Sequence, residues 1–206
     1  MNKFIFFVGF FISVTVAGCA GNSVPAPGLY AINGSCEVGI SPEKQVVYSK
    51  VLKVEKPKST AAMMSRHIFY QQAFEQNQYA YSKWSDTPNK MLARLFISCI
   101  NKNAVFKSVL PSYSKGRAEI LLESTLLDFY HHINSDGSSE GRVRIEFYLI
   151  DSKSGEVIAT KEFVSTKASK SFDVNGGVGA LNDASMSVAL RLTQWLSSLK
   201  MQPLSN

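Results

Sequence analysis

Hydrophobic and polar positions divide the chain into an apolar leader, a short linker of small residues and a long region of alternating patterns. Positions 4–16 carry no charge and are mostly apolar, whereas positions 20–28 are small, uncharged and interrupted by two prolines. From position 29 onward, strand-like and helix-like periods follow one another without an internal repeat or a second linker. This organisation predicts one folded domain over residues 29–200, followed by a C-terminal tail at 201–206.

The region before the first helix contains alternating, β-branched runs that predict strands. We place four such strands at 29–32, 45–54, 66–71 and 79–81. A polar bend at 75–77 is predicted to join the last two strands as a hairpin. In the second strand the predicted buried positions are Val47, Val51 and Val54.

Thr87 and Pro88 mark the start of the first helix, because threonine is a favourable N-cap and proline fits the first helical position. Helical periodicity after this point separates a buried face from a solvent-exposed face. The buried face carries Leu92, Leu95, Phe96 and Cys99, and the exposed face carries Lys90, Arg94, Ser98 and Lys102.

Three more strands are predicted at 118–129, 142–150 and 157–164, and the middle one alternates most regularly. Its buried face comprises Val143, Ile145, Phe147 and Leu149. Glycines at 176, 177 and 179 predict a hinge before a final helix at 180–199. The core stripe of that helix comprises Leu181, Ala184, Val188, Leu192, Trp195 and Leu199. The element order β-β-β-β-α-β-β-β-α predicts an α+β fold with an antiparallel β-sheet packed against two amphipathic helices.

The leader ends in Val16-Ala17-Gly18-Cys19, which matches the lipobox of a bacterial lipoprotein signal peptide. Lys3 precedes the apolar run, and small residues lead to the cleavage site, as signal peptidases require. The run is shorter than the about 20 residues needed to span a bilayer comfortably. We therefore predict a lipoprotein signal peptide at 1–18, while an uncleaved anchor and an unlipidated secretory signal remain open alternatives.

Cys19 would become the acylated first residue of the mature chain, with palmitate as the typical acyl group and residues 19–28 as a lipidated tether. Two or more acyl chains hold a protein stably at a membrane, whereas a single chain holds it only marginally. Ala20 follows Cys19, so the aspartate typical of retention in the inner membrane is absent. The predicted location is the periplasmic face of the outer membrane, in preference to that of the inner membrane.

The net charge of +6 is partly concentrated in a basic run that comprises Lys50, Lys53, Lys56 and Lys58. A periplasmic location argues against nucleic acid as the partner, so acidic lipid headgroups or an acidic protein are the predicted targets. A solvated lysine face without any partner is the open alternative. Together with Trp84, which belongs to an aromatic-rich segment, the basic run is the predicted partner-binding region.

The remaining cysteines, Cys36 and Cys99, would lie in an oxidising compartment, where disulfides form and persist. A disulfide between them is therefore one prediction. Cys99 also falls on the apolar face of the predicted first helix, where a free buried cysteine is common. Both alternatives stay open at the level of sequence.

The sequence contains no constellation typical of an enzyme active site. Neither Gly-x-Ser-x-Gly nor His-Glu-x-x-His occurs. His131 and His132 are adjacent, so in a strand they point to opposite faces and cannot bind one metal ion together, and His67 lies far away in the chain. We therefore expect no catalytic residue, no metal site, no cofactor and no enzymatic activity.

Several short motifs occur in a characteristic order along the domain. They are Arg66-x-Ile68-x-Tyr70, Tyr81-x-Lys83-Trp84-x-x-x-Pro88-x-x-Met91-Leu92, Ser154-Gly155-x-Val157-Ile158, Lys161-x-Phe163 and the Trp195-Leu196 end of the last helix. After a lipobox, this order resembles the auxiliary lipoproteins of ABC-type lipid transport systems, the PqiC-like family, from Tyr30 to about Leu199. Lys83 departs from the arginine that is commoner before the tryptophan, and the segment around Cys36 matches nothing in the family.

The resemblance implies a non-enzymatic auxiliary component of an ABC/MCE-type system that transports phospholipid or a related lipid across the cell envelope. Its implied partners are an MCE-domain protein and the ABC permease complex, and lipid is an implied ligand. A structural or assembly lipoprotein, such as a pilotin or a stabiliser of an outer-membrane complex, is the alternative. Self-association into a homo-oligomer is also left open.

Overall fold

The computed structural model describes residues 26–34, 36 and 46–200. The predicted signal peptide, the lipidation site Cys19, most of the tether and the C-terminal tail lie outside these residues. The strands of the described part are β1 (Gly28–Tyr30), β2 (Tyr48–Val54), β3 (His67–Gln72), β4 (Glu75–Trp84), β5 (Phe106–Pro111), β6 (Ile120–Ile133), β7 (Ser139–Asp151) and β8 (Val157–Ala168). Its helices are α1 (Pro88–Lys102) and α2 (Val174–Ser198). The predicted α+β class, with one sheet and two helices, is confirmed.

The long strand β6 is the centre of an eight-stranded sheet built by the described residues. One edge of β6 pairs with β7 along nearly its whole length, from Ile120↔Asp151 to Ile133↔Ser139. Its other edge is shared, because β2 pairs with its first residues and β3 with its last. The sheet therefore branches at β6, with β5 beyond β2, and β4 and β1 beyond β3.

The sheet is mixed, whereas an antiparallel sheet was predicted. Strand pairs β1–β4, β2–β5, β2–β6 and β3–β6 are parallel, and β3–β4, β6–β7 and β7–β8 are antiparallel. Parallel neighbours need a crossover connection. Helix α1 is part of the crossover that returns the chain from β4 to β5 beside β2. The short strand β5 was not predicted. Before Pro111, its last residue, only Phe106, Val109 and Leu110 are apolar, which is too short a pattern to indicate a strand.

Both helices pack on one face of the sheet and form the core with it. The predicted inward positions Val143, Ile145, Phe147 and Leu149 are all fully buried. On α1, Phe96 meets Phe147 with ring centroids 5.3 Å apart. The stripe of α2 is buried from Leu181 to Leu192, whereas Trp195 is only partly covered. In residues 26–34, 36 and 46–200, no helix is long and apolar enough to cross a membrane.

Helix α2 begins at Val174, so the glycines lie inside its first turns and do not form a hinge. The Asp173 carboxylate caps the helix, because it accepts a hydrogen bond from the Gly176 N–H at 3.0 Å. Gly177 faces the ring of His131 on β6, and a Cβ at this position would lie 2.5 Å from His131 Nδ1. Glycine is therefore needed at position 177, because the helix and the sheet approach each other closely there.

Two further expectations differ from the structure near β2 and the β3–β4 hairpin. The hairpin turn lies at Ala73–Phe74, and residues 75–77 belong to β4. In β2 the buried residues are Leu52 and Val54, while Val47 lies exposed before the strand. The pairing of β2 with β5 shifts between Tyr48 and Val51, which breaks the simple alternation assumed for this run.

Candidate functional site

The described N-terminal segment is fastened to both helices close to the predicted tether. The Sγ atoms of Cys36 and Cys99 form a disulfide, with the two Cα atoms 5.0 Å apart. Cys99 is fully buried on α1, so the bridge reaches the core directly. The Asn33 N–H donates to Asn182 Oδ1 at 2.9 Å, which ties the same segment to α2. Of the two sequence alternatives, the structure has the disulfide.

Trp84 does not lie on a contact surface. Its side chain is 1 % exposed and packs against Phe129 with ring centroids 5.7 Å apart. The backbone of Trp84 also exchanges two hydrogen bonds with Arg66, since its N–H donates to the Arg66 carbonyl and its carbonyl accepts from Arg66 Nε, both at 2.8 Å. The prediction that Trp84 binds a partner is corrected, because its ring is an anchor of the core at the end of β4.

The four lysines of the basic run do not form one patch. Lys53 is half-buried in β2 between Leu110 and Leu121 on the neighbouring strands. Lys56 and Lys58 are exposed beyond the end of β2. The remaining member, Lys50, lies close enough to Asp151 to act on it electrostatically. The pKa of Asp151 is lowered mainly by the hydrogen bond from the Ser154 N–H, and to a lesser degree by the charge of Lys50.

A groove lies between α1 and the carboxyl ends of the parallel strands β2 and β5. Its volume is about 550 Å³. The strands end side by side at Val54 and Pro111, which are paired, and α1 forms the opposite wall. The lining residues are Val54, Lys56, Lys90, Ala93, Arg94, Ile97, Ser98, Pro111, Ser112 and Tyr113. We call this feature the α1 groove; three of its lining residues are cationic and none is acidic.

Two of these cations share one carboxylate just outside the α1 groove. Lys90 Nζ lies 3.2 Å from Asp86 Oδ1, and Arg94 Nη1 lies 3.0 Å from Asp86 Oδ2. Burial alone would raise the pKa of Asp86, but hydrogen bonds from Arg94, the Thr87 N–H and Lys90 lower it to about 2. In the described ranges Lys56 makes no ion pair. The rim of the groove therefore carries more positive than negative charge.

A second polar cluster surrounds His131, on the face of β6 that α2 covers. His131 Nδ1 and the Tyr79 hydroxyl are 2.7 Å apart, and their rings are stacked. Burial, above all, and then the neighbouring His132 lower the pKa of His131, which the Asp173 carboxylate only partly offsets. Burial is also the main reason that the pKa of Tyr79 rises to about 12.

The three histidines are kept apart from one another. The Nε2 atom of His131 is buried without a hydrogen-bond partner among the described residues. His132 points to the other face, where its Nε2 lies 3.1 Å from Asp128 Oδ1. His67 approaches Ser65, with Nδ1 3.4 Å from Oγ. In the part of the chain that can be described, no three side chains of the metal-binding types come together at one point.

The α1 groove was not predicted as a site, although one signal for it is present in the sequence. Ile97 lies on the same helix face as Lys90, Arg94 and Ser98, where a purely solvent-exposed face would carry polar residues. Its partners Val54 and Pro111 come from two other segments, which only the parallel pairing of β2 and β5 brings together. Of its lining residues, only Lys56 was predicted to bind a partner, as a member of the basic run.

No protein-family model matches the chain, and no curated protein matches it. Among solved structures, protein XCC0632 from Xanthomonas campestris, a DUF330 protein, is similar with a TM-score of 0.72 and 20 % identity, covering 81 % of this chain and 93 % of that one. An uncharacterised protein gives a TM-score of 0.64 at 11 % identity, with 84 % and 99 % covered. The PelC dodecamer from Paraburkholderia phytofirmans gives 0.46 at 15 % identity, with 78 % and 96 % covered. At these identities the likeness to the first two shows a shared fold.

Proposed function

We propose that this protein is a membrane-anchored, non-enzymatic lipoprotein of the bacterial envelope that serves as an auxiliary component of an ABC/MCE-type lipid transport system. The observation that carries the proposal is the order of features in the chain. A lipobox ending at Cys19 is followed by eight uncharged residues, 20–27, and then by β1 of an α+β domain. This order is that of a folded domain held at a membrane surface by acyl chains.

The geometry around β1 supports this proposal, because it joins the tether to the cationic groove. Strand β1 pairs in parallel with residues 82–84 of β4. The Ser85 N–H then donates to the Tyr30 carbonyl at 2.6 Å, one residue before Asp86, which binds Lys90 and Arg94. The point at which the tether enters the domain is thus directly linked to the cations of the α1 groove. Anionic lipid headgroups attract cationic side chains such as those of Lys90 and Arg94.

The length of the tether sets how far the domain stands from the membrane. The eight residues between Cys19 and β1 span roughly 28 Å when extended, at about 3.3–3.6 Å per residue. This distance lets the domain clear the headgroups and meet a protein that arrives from the opposite membrane. We place the anchor, with palmitate among its acyl groups, in the outer membrane with the domain in the periplasm. The proposed partners are an MCE-domain protein and the permease complex.

The proposal is tested by purification of the tagged full-length protein from membranes of its own host. We expect the MCE-domain protein and the permease to co-purify, and the Cys19→Ala variant to leave the membrane fraction and to lose function while its domain stays folded. Repeated absence of an MCE-domain protein and of bound lipid, in preparations that retain the anchored protein, would refute the transport role.

A structural or assembly role is the second candidate, and one observation favours it. Phe74 is completely exposed at the tip of the β3–β4 hairpin, next to Ala73 in the left-handed region with φ 51°. An exposed apolar tip on a strained turn suits contact with a protein partner. Co-purification of a secretin or an outer-membrane barrel, lost in the Phe74→Ser variant, would favour this role.

Self-association stays a prediction that light scattering of the purified protein tests.

A further inference from the structure

We propose that the α1 groove binds one acyl chain of an anionic phospholipid, whose phosphate lies between Lys56, Lys90 and Arg94. The choice of a phospholipid rests on the proposed lipid-transport function. The apolar lining and the excess of positive charge belong to the groove itself and stand independently of that function.

The lower part of the groove is suited to an alkyl chain. Val54 and Ala93 line it as buried residues, and Ile97 presents its half-buried side chain from α1. Tyr113, which is 83 % exposed, extends this apolar surface at the open side. The volume of about 550 Å³ lies within the roughly 300–1,000 Å³ typical of sites for small ligands. An alkyl chain would cover Ile97 and Tyr113, which are still exposed to water in part or almost entirely.

The rim of the groove is suited to an anionic headgroup. Lys90 and Arg94 are one helical turn apart on α1, and Lys56 approaches from the end of β2 on the other wall. Asp86 holds the first two cations in place but neutralises only one charge. A phosphate between the walls would therefore meet an excess of positive charge, and arginine and lysine are the usual partners of phosphate groups.

A phospholipid uses both halves of the groove, whereas simpler ligands use one. Inorganic phosphate would engage the cations and leave the apolar wall exposed to water. A neutral alkyl chain would fill the apolar part and leave the three cations with only the single carboxylate of Asp86, which Lys90 and Arg94 share. A zwitterionic headgroup would bring a positive charge close to the same cations, so the groove should prefer an anionic headgroup over phosphatidylcholine.

The proposal is tested by photocrosslinking of the full-length lipidated protein in neutral detergent. The probe is phosphatidylglycerol with a diazirine in one acyl chain, compared with the matching phosphatidylcholine probe. We expect the label on residues 90–98 of α1 and on residues 111–113. The Lys56→Glu variant should lower labelling by phosphatidylglycerol about tenfold, as expected for reversal of a charge that contacts the ligand. The matched Lys58→Glu variant, whose side chain lies outside the groove, should leave labelling unchanged.

The apolar half is tested with Ile97→Glu, because this residue is only half-buried and the variant is expected to fold. It should abolish labelling with both probes, and circular dichroism of the same sample controls for folding. Label outside the groove, equal loss in the Lys56 and Lys58 variants, or complete competition by millimolar inorganic phosphate would overturn the proposal. Co-purification of the MCE-domain protein, measured on the same variants, separates the two proposals. If the groove is labelled but the MCE-domain protein does not co-purify, only the transport role is refuted. If the MCE-domain protein co-purifies but the groove is not labelled, only lipid binding in the groove is refuted.

Discussion

The imidazole of His131 lies directly against the backbone of Gly177, where any side chain would meet it. A Cβ built on Gly177 comes within 2.5 Å of His131 Nδ1 and 2.6 Å of its Cγ. This contact joins β6, the central strand, to the first turns of α2. Close packing at this point therefore determines how α2 lies on the sheet.

Replacing Gly177 with alanine should separate helix and sheet locally and destabilise the domain. Overpacking of this kind typically costs about 1–3 kcal/mol. Gly179 offers a matched control, because it lies two residues further along α2 with nothing within 4 Å of the added Cβ. Gly179→Ala should instead stabilise the domain by about 0.5–1 kcal/mol, the usual gain of alanine over glycine in a helix. The free energy of unfolding in urea measures both, and equal effects of the two variants would contradict this account.

The stability of the domain should fall as the pH is lowered through the range in which His131 of the unfolded chain titrates. Burial, more than the neighbouring His132, lowers the pKa of this group in the folded protein below its ordinary value of 6.5. The folded state therefore resists a proton that the unfolded state accepts. The contribution of neutral, buried His131 to the free energy of unfolding is fully present above pH 6.5 and is lost progressively below it.

The measurement is the free energy of unfolding between about pH 5 and 7, the range in which histidine titrates. His131→Gln keeps a polar partner for Tyr79 and removes the titration, so the variant should show a shallower dependence on pH than the wild type. Titration of Tyr79 cannot account for a difference in this range, because its pKa is raised to about 12. Identical slopes for the two proteins would argue against a role of His131.

The disulfide between Cys36 and Cys99 should contribute strongly to stability. The two cysteines are 63 residues apart. A loop of this length corresponds to about 4 kcal/mol in the chain-entropy model, and measured losses are typically about 2–5 kcal/mol. Adding dithiothreitol should therefore lower the urea midpoint of the wild type. The Cys36→Ala variant should start near this lower midpoint and should not respond to dithiothreitol; a midpoint of the wild type that is insensitive to reductant would refute the prediction.

The sequence correctly predicted those elements whose buried face follows one regular spacing of hydrophobic residues. The alternation from Val143 to Leu149 gave the buried face of β7, and Thr87-Pro88 with the apolar stripe gave the start and the buried face of α1. Such patterns do not encode the direction of neighbouring strands. The parallel pairs formed by β2 therefore could not be derived, since they depend on where the crossover returns the chain.

Residues whose roles depend on distant segments were the ones that sequence reasoning missed. The glycines at 176 and 177 were predicted to form a hinge, because the side chain of His131 that requires glycine at 177 comes from β6. Trp84 was expected at the surface, since an aromatic residue before a helix is equally compatible with a contact site and with the core. The α1 groove forms only when Val54, Ile97 and Pro111 meet through tertiary structure. The local run of lysines marked only one of its cations, Lys56, as a partner-binding residue.

Asp86 should have opposite effects on folding stability and on anion binding. Hydrogen bonds from Arg94, the Thr87 N–H and Lys90 overcome the effect of burial and lower the pKa of this carboxyl from 3.8 to about 2. Its stabilising contribution is therefore fully present above pH 3.8 and is lost as the pH falls towards 2. The Asp86→Asn variant should be less stable than the wild type at neutral pH, and the difference should disappear at the acidic end of this range.

The same substitution leaves Lys90 and Arg94 without their carboxylate, so the α1 groove gains one net positive charge. Labelling by the phosphatidylglycerol probe should rise about two- to fivefold, the equivalent of one partly exposed ion pair, and labelling by phosphatidylcholine should change less. Asp183→Asn removes the same charge from α2, away from the groove, and controls for a general electrostatic effect. A loss of labelling in Asp86→Asn would mean that the carboxylate is needed to hold the two cations in place, and an equal rise in both variants would mean that net charge alone determines the labelling.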